Sequence, residues 1–235
     1  MPSFVFLLTI VIIIACVLAF AALYFAVQNF TPGASRIKAD VKKMMDSIDG
    51  YTLDLVPIHK KEFELLSHNQ IKNAVLKTVT LSAKGILTSI YDEPMVAYAY
   101  KKYLGTKENS ILYARTANQE LVYRTKYGKT KVTFNNQALG EIREDGILYN
   151  AGTKQPMASI GEVKGEHRKV MIEKHEVARY KVNDKNAPIN NRALEFVSDM
   201  KTEEEMVLLT LVVYELVRED LPLQRKEEVV TLVEE

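Results

Sequence analysis

Four kinds of hydrophobic patterning succeed one another along the chain. Phe4 to Val27 is an uncharged run of 24 residues, long enough to cross a bilayer core with some tilt. No Lys or Arg precedes it, and it exceeds the usual ~7–15-residue apolar core of a cleaved signal peptide. It therefore predicts a transmembrane anchor over 1–28. Ile13-Ile-Ala-Cys16 has the form of a lipoprotein cleavage box, but apolar residues follow it where a polar tether belongs. Pro32-Gly33 ends the run. In Ala34–Asp49 apolar residues then recur at Ile37, Val41, Met44, Met45 and Ile48 and stop at Gly50. That spacing puts them on one face of a helix. This juxtamembrane segment, 29–50, suits either an anionic leaflet or a packing surface on its own domain or a partner.

After Tyr51–Ile58 and a helical stretch predicted at Lys60–Ser67, the period becomes two from about Val75. Strand-like segments are Gly85–Tyr91, Met95–Tyr103, Ser110–Arg115, Leu121–Lys126, Lys131–Asn135, Ala138–Arg143, Gly146–Tyr149, Met157–Ile160, Lys169–Glu173 and Val177–Val182. Turn chemistry separates them, as in Asp92-Glu-Pro94, Asn135-Asn136 and Glu144-Asp145-Gly146. Short strands at this spacing predict an antiparallel meander closing into a barrel or a strongly curled sheet. A polar loop, Asn183–Asn191, leads through Ala193–Val197 to the last pattern.

Met206–Val217 is apolar nearly all round, interrupted only by Thr210 and Glu215. Twelve residues span roughly 18 Å as a helix, short of a bilayer core of ~30 Å. A helix hydrophobic on every side must be enclosed by protein. Thr202-Glu-Glu-Glu205 reads as a capping box at its start. The fold class is thus mainly β with helices (α+β). One domain, 51–220, holds a buried helix at 203–218, and a charged tail follows at 221–235.

Charge changes this picture in two places. Lys84–Lys185 carries 18 basic and 12 acidic residues, and Glu195–Glu235 carries 4 and 12. A basic sheet region and an acidic C-terminal region can neutralise each other within one fold or mark a surface for anionic ligands. Arg36, Lys38, Lys42 and Lys43 follow the span, which puts the C-terminal domain in the cytoplasm by the positive-inside rule. The single cysteine, Cys16, lies within the apolar run, so no disulfide can form within one chain.

Catalytic signatures are scarce. GxSxG, Walker and GxGxxG patterns are absent, and His59, His68, His167 and His175 fall in no metal-ligand spacing. His167 and His175 flank one strand with Glu166, Glu173 and Glu176 nearby, which reads as ordinary strand-end polarity. No metal, no cofactor and no enzymatic activity are expected. The one constellation with binding chemistry is basic and aromatic. Lys101, Lys102, Arg124, Lys126, Lys129 and Lys131, among Tyr98, Tyr100, Tyr103, Tyr123 and Tyr127, form a candidate lipid-headgroup face. Period two turns Tyr123 and Tyr127 away from Arg124 and Lys126, so bases could not stack beside the cations, and no nucleic acid is expected.

Leu121-Val-Tyr-Arg-Thr-Lys126, Lys131-Val-Thr-Phe-Asn-Asn-Gln-Ala-Leu-Gly-Glu-Ile142, Gly146-Ile-Leu-Tyr149 and the helix Glu204–Val217 follow one another in an order that resembles the tubby C-terminal-like superfamily. That superfamily includes the phospholipid scramblases and the LURP-one-related proteins, and the resemblance covers roughly 81–218. It implies a closed antiparallel barrel threaded by a hydrophobic C-terminal helix, and a lipid- or protein-binding module. The chain lacks the Pro/Cys-rich N-terminal region and the acidic calcium stretch of scramblases, since Asn183-Asp-Lys-Asn186 is poor in carboxylates. The expected protein is a single-pass, non-catalytic binding or scaffold protein contacting membrane lipids. The alternative is a structural subunit whose anchor and Ile37/Val41/Met44/Ile48 stripe assemble a membrane complex with other subunits.

Overall fold

The computed structural model describes residues 2–30, 32–59, 61–77, 80–103, 108–183 and 191–221. Helix α1 (Pro2–Phe30) carries no charge and is long and apolar enough to cross a membrane over Phe6–Tyr24, none of which is buried against the rest of the chain. Helix α2 (Ala34–Ile48) follows from Gly33, which holds an extended backbone. Two short 3-10 turns, Asp49–Asp54 and Glu62–Leu65, lead into the sheet.

The strands are β1 (Leu66–Lys77), β2 (Thr80–Ser89), β3 (Pro94–Lys102), β4 (Asn109–Arg115), β5 (Glu120–Lys126), β6 (Lys129–Phe134), β7 (Gln137–Ile142), β8 (Ile147–Asn150), β9 (Pro156–Lys164), β10 (His167–Ile172), β11 (His175–Lys181) and β12 (Leu194–Val197). All twelve pair antiparallel in sequence order. The ends meet where Ser67 bridges Arg192, the His68 amide donates to the Asn191 carbonyl at 2.9 Å and the Ala193 amide to Leu66 at 2.7 Å. This is a nearly closed barrel. Two-residue turns with left-handed backbone suit the twist of such hairpins. Tyr127-Gly128 (φ 54° and 76°) and Asn135-Asn136 (φ 45° and 63°) supply two of them.

Helix α3 (Thr202–Asp220) threads the barrel. Its eight buried aliphatics, Val207, Leu208, Leu209, Leu211, Val212, Val213, Leu216 and Val217, are each at most 4% exposed. Burying eight such side chains contributes on the order of 15 kcal/mol before opposing terms. Facing them are inward side chains such as Tyr98, Leu112, Leu121, Val132 and Val170. Polar struts fix the helix axially. The Tyr123 hydroxyl donates to the Thr210 carbonyl at 2.8 Å, while the Thr210 hydroxyl donates back to Met206 at 2.8 Å. The Gln70 amide donates to Leu216 at 2.7 Å and its carbonyl accepts the Tyr98 hydroxyl at 2.7 Å.

A second core lies outside the barrel. Met44 and Ile48 of α2 and Leu55 cover Ala97, Ala99, Tyr103, Ile111 and Tyr113 on the outer face of β3 and β4, with Ile37, Val41 and Met45 partly buried beside them. The amphipathic stripe is therefore covered by the chain's own sheet. Met44 and Ile48 are buried in this contact, while Ile37, Val41 and Met45 keep part of their surface exposed.

Two expectations need correcting. The segment read as helix at Lys60–Ser67 is a single 3-10 turn, and a twelve-residue strand starts at Leu66 (Lys60 itself lies outside the described residues). The helix cap sits at Lys201, whose amide donates to Glu204 at 2.7 Å, so Thr202 is the first helical residue and Glu204, not Glu205, closes the return bond. The tail beyond Leu221 and most of the Asn183–Asn191 loop lie outside the described residues.

Leu209→Asp should unfold the barrel, because an unpaired carboxylate would replace a side chain 1% exposed at the barrel axis. Leu209→Ala should cost about 2–5 kcal/mol. Urea unfolding followed by near- and far-UV circular dichroism checks both, and folded strands in L209D would show that the helix is not the core.

Candidate functional site

The barrel has two rims. Asp40, midway along α2, meets Lys101 near the end of β3 and Tyr103 just beyond it, whereas Asp49 after α2 meets Arg115 at the end of β4, 3.7 Å away. Helix α2 thus runs from one rim to the other. The rim where it begins, here called the anchor-side rim, also holds the β5–β6, β7–β8 and β9–β10 turns and the C-terminal end of α3.

The six sequence-selected cations do not form one face. Lys101 donates an ion pair to Asp40 at 2.8 Å, and the Tyr103 hydroxyl donates to the same carboxylate at 2.6 Å. Burial works to raise the Asp40 carboxyl, but its bonds to Lys101 and Tyr103 outweigh that and hold it below the usual carboxylate value. Lys101 is a clasp between α2 and the sheet. Lys102 falls on the opposite parity, the row of Tyr98 and Tyr100 that faces the interior. Arg124 donates to the carbonyls of Ser110, at 3.0 Å, and Thr125, and its guanidinium lies 5.6 Å from the Tyr103 ring centroid. Burial lowers its pKa. Lys101 and Arg124 are occupied within the fold. Lys126, Lys129 and Lys131 are exposed, with Lys126 opposite Lys129 across the turn and Lys131 in register between Arg124 and Glu141. Of the tyrosines, Tyr123 is fully buried against α3 and Tyr127 stands exposed in the turn.

Inside the same rim lies a feature that the sequence reading did not single out, an open cavity of about 860 Å³ around the end of α3. Several of its charged groups are committed. Glu215 pairs with Arg168 at 3.1 Å, Glu219 accepts from Tyr180 at 2.6 Å, Asp145 accepts from the Ile147 amide at 2.9 Å and Arg143 pairs with Glu141 at 3.5 Å. The carboxylates of Glu108, Glu144 and Glu162 make no hydrogen bond or ion pair among the described residues, though the Glu108 carbonyl accepts from the Tyr127 amide at 3.2 Å. Below the cavity a void of about 10 Å³ is lined by Tyr100, Ser110, Thr125, Tyr214 and Arg218. In its wall Thr125 and Thr130 share a hydrogen bond at 2.9 Å, and Thr130 meets the Tyr214 hydroxyl at 3.0 Å. The hydroxyl of buried Tyr100 lies beside Ser110 in this lining.

Beside the cavity, β1 places His68 and Gln70 in the interior. His68 Nε2 donates to the Lys181 carbonyl at 2.9 Å, which fixes that tautomer, and its ring meets Tyr180 edge-on at 5.5 Å. Burial lowers its pKa to about 4. Burial raises Glu219, whose Oε2 is 3.9 Å from His68 Nδ1.

The remaining histidines do not build a joint site. His167 pairs with Glu195 at 2.6 Å on the anchor-side rim and His175 with Glu204 at 3.1 Å on the opposite one. Glu176 instead binds Lys169 and Arg179, each at 2.7 Å. Among the described residues no group of His, Cys, Asp or Glu is arranged to hold a metal ion. No family model, curated protein or solved structure matches this chain.

Two outcomes follow from these contacts. Lys101→Ala leaves Asp40 short of its main cationic partner and should cost about 3 kcal/mol. Lys129→Ala, at an exposed site, should change stability by less than about 0.5 kcal/mol. Because the folded pKa of His68 lies below the ordinary 6.5, the unfolded chain binds more protons between about 6.5 and 4, and stability should fall with pH across that window. The His68 share at pH 4.5 is roughly 2–3 kcal/mol. Glu219, raised by burial, acts in the opposite sense above 4.5. Urea melts at pH 7 and 4.5 should therefore show a larger loss for wild type than for His68→Gln, which keeps a donor for Lys181; equal losses would rule His68 out as the source.

Proposed function

We propose that this protein is a membrane-anchored, non-catalytic binding or scaffold module, with α1 crossing the bilayer once and the barrel on the cytoplasmic side. The observation that carries the reading is the shortness of the connection between anchor and barrel. Only residues 31–33 separate α1 from α2, and three extended residues reach about 10 Å. Helix α2 is then held on the sheet by its apolar stripe and the Asp40–Lys101 pair. An anchored α1 keeps the anchor-side rim beside the membrane surface. Arg36, Lys38, Lys42 and Lys43 on that side favour a cytoplasmic orientation.

The lipid contact is narrower than the six cations chosen by pattern. Lys126, Lys129 and Lys131 project from β5, β6 and their turn at or near the anchor-side rim, and exposed Tyr127 between the first two supplies an amphipathic ring suited to the headgroup level. Cations so placed attract anionic headgroups by about 1 kcal/mol each. A barrel closed around a hydrophobic C-terminal helix is also the architecture that the likeness to tubby- and scramblase-type domains implies, which supports a binding role over a catalytic one. A scaffold role within a membrane complex remains part of the reading, acting through α1 and the rim rather than through the covered α2 stripe.

Two measurements test this. The full chain should stay in the membrane pellet after alkaline carbonate extraction and keep residues 1–30 by mass spectrometry; a product lacking them would make α1 a signal sequence. The chain from Gly33 onward should co-sediment with vesicles containing anionic lipid in preference to neutral ones, and Lys126→Ala and Lys129→Ala should each weaken binding about five-fold. Equal binding to neutral vesicles would end the lipid claim.

A further inference from the structure

Charges on the outside of the barrel are unevenly satisfied. On β10 and β11 cations have carboxylates at hand. Lys169 and Arg179 share Glu176, each at 2.7 Å, and Lys181 pairs with Glu195 at 3.3 Å. On the side that carries α2, β5 and β6 the balance is different. Lys38, Lys42, Lys43, Lys126, Lys129 and Lys131 are exposed and make no ion pair among the described residues.

These lysines belong to one continuous surface. Asp40, Met44 and Ile48 form the buried row of α2, so Lys38 and Lys42, four residues apart, share the side turned away from the sheet. Lys43 falls on the flank of Arg36, and Arg36 and Arg124 both act electrostatically on the Tyr103 hydroxyl. Val122 packs beside the core beneath α2, which places β5 next to the helix. Period two carries the outer row of β5 from Val122 through Arg124 to Lys126. Across the pair, Lys131 stands opposite Arg124 and Lys129 opposite Lys126. Glu141, opposite Lys131 on β7, is taken by Arg143 at 3.5 Å, and Asp46 is left as the exposed carboxylate of α2. Like charges facing one another across strands, or four apart on a helix, repel. An anionic surface laid over this face would relieve all three such pairs together.

Other turns of the anchor-side rim have the opposite sign. Glu144 and Asp145 are exposed in the β7–β8 turn, and Glu162 and Glu166 flank Lys164 at the β9–β10 turn. A barrel standing upright on that rim would press these carboxylates against anionic headgroups. One inclined toward α2 and β5–β6 would lift them clear.

We propose that the domain lies tilted on an anionic leaflet, with the outer side of α2 and the outer face of β5–β6 against the headgroups. The β7–β8 and β9–β10 turns, with the cavity mouth they frame, then point away from the bilayer. This orientation rests on the anchored, lipid-contacting reading above and adds the lysines of α2 to it. The helix uses its apolar side for the sheet and its basic side for lipid.

The chain contains no tryptophan, so one introduced at a chosen position reports its own surroundings. The full chain is reconstituted in phosphatidylcholine vesicles with and without phosphatidylserine, and emission is quenched by a lipid with a nitroxide on its headgroup. Ala39→Trp on the outer side of α2 and Tyr127→Trp in the β5–β6 turn replace exposed residues. Both should be strongly quenched when phosphatidylserine is present. Val163→Trp, exposed at the end of β9, should keep nearly the emission it has without the nitroxide. Lys38→Gln combined with Lys42→Gln should reduce quenching of Ala39→Trp roughly two-fold. Strong quenching of Val163→Trp would mean an upright barrel, and weak quenching of Ala39→Trp would leave α2 off the leaflet. Either overturns the tilt while the lipid contact at Tyr127 stands. Equal quenching of Ala39→Trp without phosphatidylserine would overturn its electrostatic basis. No quenching at any of the three positions would end the lipid reading itself, and the tilt with it.

Discussion

Everything in this fold depends on enclosing a helix that is apolar on all sides. Helix α3 cannot stand in water, since the gross contribution of its buried aliphatics, on the order of 15 kcal/mol, rivals the net stability of a typical domain. One flat sheet would cover only one side of it. A sheet of twelve antiparallel strands, curled until β1 meets the segment before β12, covers all of it. Apolar contact alone would let such a helix slide along the barrel axis. The bonds from Tyr123 to Thr210 and from Gln70 to Leu216 act at two heights, six residues apart along the helix, and fix its register.

Closing the sheet on α3 turns alternate residues outward, and on β3 and β4 that outer row is apolar as well. Ala97, Ala99, Ile111 and Tyr113 need a cover of their own, and α2 provides it. The small side chains of Ala97 and Ala99 let the helix approach closely. Asp40 then reaches Lys101 and Tyr103, and a buried carboxylate with two such partners tolerates little displacement. Helix α2 is consequently fixed on the barrel. This joint also explains why a basic patch chosen by composition separates into two groups. Lys101 and Arg124 lie where α2 and the β4–β5 edge demand charge compensation or carbonyl partners. Lys126 and Lys129 lie one hairpin turn further on, where no other element reaches them.

Strands β2 to β11 were legible in the sequence because each alternates or carries turn residues at its ends, and α3 because no amphipathic alternative exists for it. β1 was not legible. Its interior positions, His68 and Gln70, are polar, and they are buried only because the Lys181 and Leu216 carbonyls lie in reach 113 and 146 residues away. Period-two reasoning looks for apolar residues at such positions and finds none. The helix cap was misplaced by one residue for a related reason. A lysine at the N-cap carries no oxygen to accept the bond expected of Thr202, and only Glu204 reveals the boundary. The site was the least legible part. Acids in the β7–β8 turn and in β9 read as solvated turn and strand-end residues, and only the curl of the sheet brings Glu144 and Glu162 to one opening with Glu108.

The two ends of α3 show why that opening is informative. At its start, Lys201 and Glu204 satisfy the helix locally, and His175 pairs with Glu204 in an exposed contact. The chain needs nothing more there. At its end, His68 is buried and Glu219 half-buried, with pKa values displaced by burial, and about 860 Å³ stays open beside them. Each of these costs stability that an apolar filling would have avoided, and the same barrel fills its middle with aliphatic side chains without difficulty. The two ends of the one helix thus differ in how fully the barrel closes around them.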